Sequence, residues 1–262
     1  EAGRIAIVVG AADRLVLEEL AVALPEACAR LDQARVEVGP GEHVQMLGKP
    51  GVGKSTMFRA LAGMWPWGAG TIQLPSREAM MFMPQRPYLP LGTLRAAVSY
   101  PAEPSRFDDA AVRAALERVD LGHLASALER TERWDRLLSL DEQQRLAFAR
   151  LLLHAPRWVV LDDATGALDE DHRRLMLSIF ERELAGTAVI RLGRDPAPDG
   201  FWDRVLRIVE LPDGPCLRSR PPAAAEAVAA SPTGSGPSAV ADRAVEHASK
   251  DRRAATGRKG RR

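Results

Sequence analysis

The residues Gly48-Lys49-Pro50-Gly51-Val52-Gly53-Lys54-Ser55-Thr56 satisfy the spacing GxxxxGK[ST] in full. Small residues let the backbone N–H groups of such a loop close around phosphate oxygens, and a helix starting behind it adds its positive dipole end. Lys54 is placed to neutralise β- and γ-phosphate charge, and Ser55 to put its hydroxyl on Mg²⁺. A dinucleotide-binding turn fits less well, because Gly51-Val52-Gly53 gives only the first half of GxGxxG and no third glycine follows. The ligand class is therefore a nucleoside triphosphate carried with Mg²⁺. About 110 residues downstream, Val159-Val160-Leu161-Asp162-Asp163 ends an apolar run in two carboxylates. Alone, two acids at a strand end read as a solvated turn or a helix cap. Beside a complete P-loop, Asp162 reads as the Mg²⁺ carboxylate and Asp163 as the group that orients or deprotonates an attacking water.

These groups need rigid elements to hold them. Residues 43–47 form a short apolar run feeding the loop, and residues 55–64 have helical character ending near Gly63 and Pro66. Residues 70–75 and 79–83 read as strands, as do 13–20 and 35–38. Val112, Leu116, Val119, Leu124 and Leu128 recur at helical spacing, which predicts a helix over 108–130. Further helices are expected over 141–153 and 171–184. The continuous apolar runs 157–161 and 187–190 predict strands buried on both faces, and 205–211 predicts an edge strand. Strands alternating with helices imply an α/β domain around a mostly parallel sheet, with residues about 90–150 as a helical lobe.

Composition limits the partners. Apolar content is 46% and charged content 27%, enough to build a core, and the net charge of +1 selects no partner. Residues 241–262 carry eight Lys or Arg against three acids. That tail has no aromatic residue to stack on bases, so a nucleic-acid partner is disfavoured. With the Ala/Pro-rich stretch before it, it reads as disordered. Cys28 and Cys216 have no metal or disulfide spacing. His43, His123, His154 and His172 are likewise scattered, leaving nucleotide-bound Mg²⁺ as the only metal argued. Met80, Met81 and Met83 read as buried strand, and Trp65 and Trp67 as packing rather than base stacking. No run of about 18 apolar residues occurs, so nothing in the sequence reads as a membrane-spanning helix.

Three further segments carry a family resemblance. Leu138-Ser139-Leu140-Asp141-Glu142-Gln143-Gln144-Arg145 is similar to the ABC signature segment, followed at family spacing by Leu161-Asp162-Asp163-Ala164-Thr165-Gly166-Ala167-Leu168-Asp169. Phe82-Met83-Pro84-Gln85-Arg86-Pro87-Tyr88 resembles the Q-loop. With Trp65-Pro66-Trp67-Gly68 and Leu89-Pro90-Leu91-Gly92-Thr93-Leu94-Arg95, these words resemble one branch of ABC transporters, the subfamily D peroxisomal fatty-acyl transporters and their bacterial relatives of the SbmA/BacA and YddA type. The resemblance spans about 13–212. It implies a P-loop NTPase of the ABC type, with a mostly parallel core sheet, an antiparallel β subdomain and a helical subdomain. It also implies a head-to-tail dimer, with ATP held between the P-loop of one domain and Ser139, Asp141 and Glu142 of the other. Gln85 would reach the Mg²⁺ site and couple it to a membrane domain. ATP hydrolysis would then drive transport at the cytoplasmic face of the plasma (inner) membrane. Residues 1–12 would be a linker from a preceding membrane domain, and 213–262 a disordered tail.

Several positions depart from the family. Asp141 replaces the second signature glycine, placing a carboxylate where a partner's γ-phosphate should approach. Asp163 replaces the usual Glu, and Gly166 the usual Ser of the D-loop. Arg194 stands where the switch histidine is usual and can still contact a γ-phosphate. Leu24 lies near the place of the aromatic that stacks on adenine. Two readings remain: a diverged but active ATPase, and an ATP-binding partner subunit that hydrolyses slowly. A soluble ABC ATPase is a third, but neither the fused second ATPase domain nor the coiled-coil insertion that would support it is in the sequence.

Overall fold

The computed structural model describes residues 3–10, 13–25, 27–196 and 200–211. The basic tail, the 212/213 boundary and Cys216 lie outside them. In chain order the strands are β1 (Ala6–Val9), β2 (Leu15–Ala23), β3 (Cys28–Leu31), β4 (Arg35–Val38), β5 (His43–Leu47), β6 (Gly68–Leu74), β7 (Met80–Met83), β8 (Gly92–Thr93), β9 (Thr131–Glu132), β10 (Trp158–Asp162), β11 (Ala188–Gly193) and β12 (Arg204–Leu211). The α-helices are α1 (Lys54–Leu61), α2 (Leu94–Ser99), α3 (Asp109–Arg118), α4 (Trp134–Leu137), α5 (Leu140–His154) and α6 (Glu170–Glu181).

Five strands in the order β12-β5-β11-β10-β7 run parallel and form the centre. Every residue of β10 is buried, as its unbroken apolar run requires of a strand covered on both faces. Beyond β12 the pairing becomes antiparallel through β3, β2, β4 and β6. The β2–β6 register slips between Glu18 and Ala21. Glu19 sits there at φ 49, and a Cβ on the facing Gly70 would lie 2.4 Å from the Glu19 carbonyl oxygen, so the bulge demands glycine. The α/β core, antiparallel subdomain and helical subdomain expected from the sequence are all present.

Three expectations need correction. β12 is an interior strand: residues 204–207 pair parallel with β5 and residues 208–211 antiparallel with β3, so it joins the two halves of the sheet. The 1–12 linker contributes β1, which pairs parallel with residues 71–74; the bare edge of β6 offers unmet N–H and C=O groups that this run satisfies. The expected helix over 108–130 breaks after Arg118. Asp120 turns left-handed at φ 57, and the Arg145 guanidinium takes the carbonyls of Val119 and Asp120 at 3.3 and 2.6 Å. A 3₁₀ segment, Gly122–Ala127, follows.

The helical lobe shares its core with the sheet. Leu94, Val98, Val112, Leu116, Trp134, Leu146 and Phe148 pack in one cluster with Val159, Leu161 and Phe180. Truncating a fully buried residue such as Phe148 to Ala would cost about 3–5 kcal/mol, so the lobe is anchored rather than merely tethered.

Candidate functional site

β5 lies between β11 and β12 and delivers Gly48 to the C-terminal edge of the parallel strands. In doubly wound sheets this is the edge at which ligands are held. Gly51 and Gly53 take φ values of 83 and 95, and α1 begins at Lys54. A Cβ on Gly53 would fall 2.8 Å from Ala29 Cβ and 2.9 Å from Leu24 Cδ2, so the loop is packed against the antiparallel subdomain. The Lys54 ammonium folds back and donates to the carbonyls of Gly48 and Lys49 at 2.9 and 2.8 Å. Burial lowers its pKa foremost. Asp162, Asp163 and Asp195 pull it up, while Arg194 pulls it further down. Lys54, Asp162, Asp163 and Arg194 therefore share one electrostatic site.

Asp162 ends β10 at 8% exposure with the Ser55 hydroxyl facing its carboxylate. Hydroxyl and carboxylate are hard oxygen donors beside the phosphate loop, the set Mg²⁺ takes together with phosphate oxygens and water. Among the described residues no group of three or more His, Cys, Asp or Glu could hold a metal. Burial pushes the Asp162 carboxyl up, against the pull of the Ser55 hydroxyl, and the Asp163 charge adds to the rise. The native state thus binds this proton more tightly than the unfolded chain, and stability is lost as pH rises through the window above the ordinary carboxylate value. Asp162→Asn should raise the melting temperature of the nucleotide-free protein at pH 7, with the gain shrinking as pH falls toward that value, and should abolish the Mg²⁺ dependence of ATP affinity. Differential scanning fluorimetry across pH checks the first part and titration with and without Mg²⁺ the second.

Asp163 opens the turn after β10 at φ 47, a conformation Asp tolerates. Its N–H donates to the Leu192 carbonyl and its own carbonyl accepts from the Gly166 N–H, both at 3.0 Å. Its carboxylate lies over Gly166, where an added Cβ would come within 3.0 Å of Asp163 Oδ2. The two departures are thus linked: the short acid bends over the turn, and the missing serine side chain leaves room for it. Arg194 is exposed just past β11. Gln85 is exposed past β7, whose pairing with β10 ends at Met83–Leu161, so the Gln85 loop and the two acids leave neighbouring strands at the same edge.

Ser139, Asp141 and Glu142 stand apart, at the start of α5. Ser139 caps the helix: its hydroxyl accepts from Glu142 N–H at 3.2 Å, and Glu142 Oε2 accepts from the Ser139 N–H and hydroxyl at 2.8 and 2.9 Å. Burial pushes the Glu142 carboxyl up, but the Ser139 donors, His123 and Arg145 outweigh it and bring it below the ordinary value. Asp141 is paired within the lobe, a contact the sequence reading did not consider. Its Oδ2 accepts from Arg145 Nε and Nη2 at 2.8 and 2.7 Å, and its Oδ1 lies 3.4 Å from His172 Nδ1. The described contacts of these three residues stay within the helical lobe and α6; none reaches the P-loop of the same chain.

A hollow of about 360 Å³ beside the loop is lined by Leu24, Pro25, Ala27, Gly51, Gly53, Thr56 and Glu210. It offers aliphatic contact where an aromatic ring was expected to be missing. Trp65 donates to the Ala23 carbonyl at 3.1 Å and meets Trp67 edge-on, so this pair packs the turn onto the sheet. The sequence reading missed Arg145, Gln144 and His172 as site-organising residues. Gln144 and Arg145 lie in the polar run Asp141–Arg145 yet are buried, so the sequence offered no local signal for them.

Residues 31–166 match the family described as ABC transporter. An ABC transporter ATP-binding protein of Synechocystis sp. is 40% identical over 65% of this chain and 26% of its own length. The inner membrane ABC transporter ATP-binding protein YddA of Escherichia coli is 31% identical over 74% of the chain and 33% of its own. Human ATP-binding cassette sub-family D member 3 is 36% identical over 61% and 26%. The chain thus spans roughly a quarter to a third of the length of such relatives. A bacterial Atm1-family ABC exporter solved with ATP bound superposes with a TM-score of 0.62 at 22% identity, over 88% of this chain and 44% of that one, which establishes the fold. The family match with the P-loop, the acidic strand end and the subfamily D and YddA relatives leaves one conclusion: the chain belongs to the ABC transporter family, as an ATP-binding domain of it.

Proposed function

We propose that this domain binds Mg-ATP on its P-loop and hydrolyses it slowly, to power or regulate movement of a substrate across a membrane by a larger transporter. The reading rests above all on one observation: Lys54, Ser55, Asp162 and Asp163 converge where β5 and β10 end. Gly48, Lys49, Pro50, Gly51, Val52, Gly53 and Thr56 supply the cradle, and Lys54 leaves the loop carbonyls to meet phosphate oxygens. Ser55 and Asp162 would hold Mg²⁺, which offsets charge on the phosphates, with Gln85 at the edge of that site. Asp163 holds the attacking water and receives its proton, and Arg194 contacts the γ-phosphate. Ser139, Asp141 and Glu142 face the nucleotide of a second domain in a head-to-tail dimer. Gln85 also meets a transmembrane domain, and the assembly works at the cytoplasmic face of the plasma (inner) membrane, as the inner-membrane relative from Escherichia coli favours.

The Asp141 pairing supports slow turnover. For the helix start to approach a partner's γ-phosphate, the carboxylate must keep its hold on Arg145 or bring a like charge forward. This favours a second form of the same reading, an ATP-binding regulatory half of a heterodimer. ATP binding and hydrolysis measured side by side decide between them. Asp141→Gly should raise turnover about tenfold, which is the release of about 1.4 kcal/mol of barrier. The same change should lower stability by about 2 kcal/mol, because Arg145 loses a charge-assisted partner. Arg194→His should add to the gain. Turnover typical of an active ABC ATPase in the unaltered chain, with no response to either change, would remove the slow-hydrolysis reading and leave the binding reading intact.

A further inference from the structure

Gln144 is fully buried on α5 and makes two hydrogen bonds of opposite sense. Its Nε2 donates to the Gln85 carbonyl at 3.0 Å, and its Oε1 accepts from the Ala167 N–H at 3.1 Å. Gln85 belongs to the loop after β7. Ala167 belongs to the turn that begins at Asp163, a turn also closed by Gly166 N–H to the Asp163 carbonyl at 3.0 Å and by Leu168 N–H to the Thr165 carbonyl at 3.3 Å. One amide therefore spans from the loop at the edge of the site to the turn that carries the acid, from a helix whose first turn is the signature segment. The partners fix its chemistry, because a backbone carbonyl can only accept and a backbone N–H can only donate. Glutamine supplies both at this reach. Glutamate would set a second acceptor against the Gln85 carbonyl, and leucine would leave both backbone groups without a partner on α5.

We propose that Gln144 is a positioning residue that makes the Gln85 loop and the Asp163–Ala167 turn move as one unit, so that a change at either end is felt at the other. The inference rests on the Mg-ATP reading above. It assigns Gln144 no contact with nucleotide. It makes the placement of the Asp163 carboxylate depend on the position of the Gln85 backbone. The signature helix carries the link, so a shift of α5 displaces both ends together.

Hydrogen exchange on the full chain, followed with and without Mg-ATP, tests this without requiring turnover. In the unaltered protein Mg-ATP should slow exchange in peptides covering both 82–88 and 163–168. In Gln144→Leu the slowing at 163–168 should persist, while that at 82–88 falls from about fivefold or more to under about twofold, because local opening of the two segments is no longer shared. Gln144→Glu, of the same shape, guards against a variant that fails to fold. Its 82–88 response should be lost at pH 8 and return toward pH 5, where a protonated carboxyl can donate to the Gln85 carbonyl again. Where turnover is measurable, Gln144→Leu should lower kcat about tenfold with KM unchanged, the pattern of a lost transition-state alignment. Slowing at both segments in Gln144→Leu and in Gln144→Glu at pH 8, or at 163–168 alone in the unaltered chain, overturns the inference and leaves the nucleotide reading standing. No slowing anywhere in the unaltered chain overturns both.

Discussion

Lys54→Ala will abolish tight Mg-ATP binding, raising the dissociation constant about a hundredfold or more. The ammonium carries two hydrogen bonds to the carbonyls of Gly48 and Lys49, and burial already lowers its pKa. In the nucleotide-free protein burial opposes this charge and Asp162, Asp163 and Asp195 attract it through space, while its described hydrogen bonds go to neutral carbonyls. Phosphate oxygens would replace them with full negative charge, and charge-assisted hydrogen bonds contribute about 1.5–3 kcal/mol each. A hundredfold loss corresponds to about 2.7 kcal/mol, well within what one such contact supplies. The same argument fixes the control. Removing a desolvated ammonium relieves burial of a charge, so the melting temperature without nucleotide should hold or rise. Titration calorimetry with Mg-ATP reads the effect, and an unchanged affinity would mean that phosphates are not held at this loop.

Asp163→Asn separates binding from hydrolysis. Asn adopts the left-handed φ of 47 as readily as Asp, so the turn and its hydrogen bonds to Leu192 and Gly166 survive. The amide cannot accept a proton from water, and loss of a general base typically removes about 10²–10⁴ in rate. Because the parent is read as slow, the drop should fall near the lower end, about a hundredfold, with ATP affinity unchanged. Asp163→Glu carries the opposite message. One more methylene reaches further from the turn, but Glu tolerates the left-handed backbone less well, so a gain in turnover should come with a small loss of stability. Single-turnover measurements with excess enzyme read both variants, and a fully active Asp163→Asn would assign the water to another group.

The sequence disclosed what is local. A P-loop is nine consecutive residues with a strand before and a helix after, and a doubly buried strand ending in acids is legible at β10 because the apolar run needs no partner to be recognised. What depended on distant pairing was misread. β12 looks like an edge strand because Arg204, Arg207 and Glu210 interrupt its apolar pattern, yet it pairs on both sides, and its charged residues emerge where the two sheet halves diverge. β1 read as linker because four residues give no periodic signal until an open edge receives them. Asp141 was read only for the like charge it brings toward a partner's γ-phosphate, although Arg145 stands one helical turn away, a spacing visible in the sequence. His172 lies 31 positions further along, and only the fold brings it near. Gln144 sits inside the signature motif, but its importance lies in hydrogen bonds to the backbone of two other motifs, at Gln85 and Ala167, and only the fold brings those together.

The position of β12 bears on how the chain is made. β5 gains one neighbour from residues 189–193 and the other from residues 204–207, about 160 positions after its own start. A ribosome adding roughly 5–20 residues per second emits the P-loop many seconds before the strand that braces it. During that interval β5 is an unprotected template, and the nascent domain cannot present a finished phosphate cradle to cellular ATP. Nucleotide capture would therefore report completion of synthesis through Arg207, and release of the growing chain at residue 203 should yield a product that neither retains ATP nor resists protease.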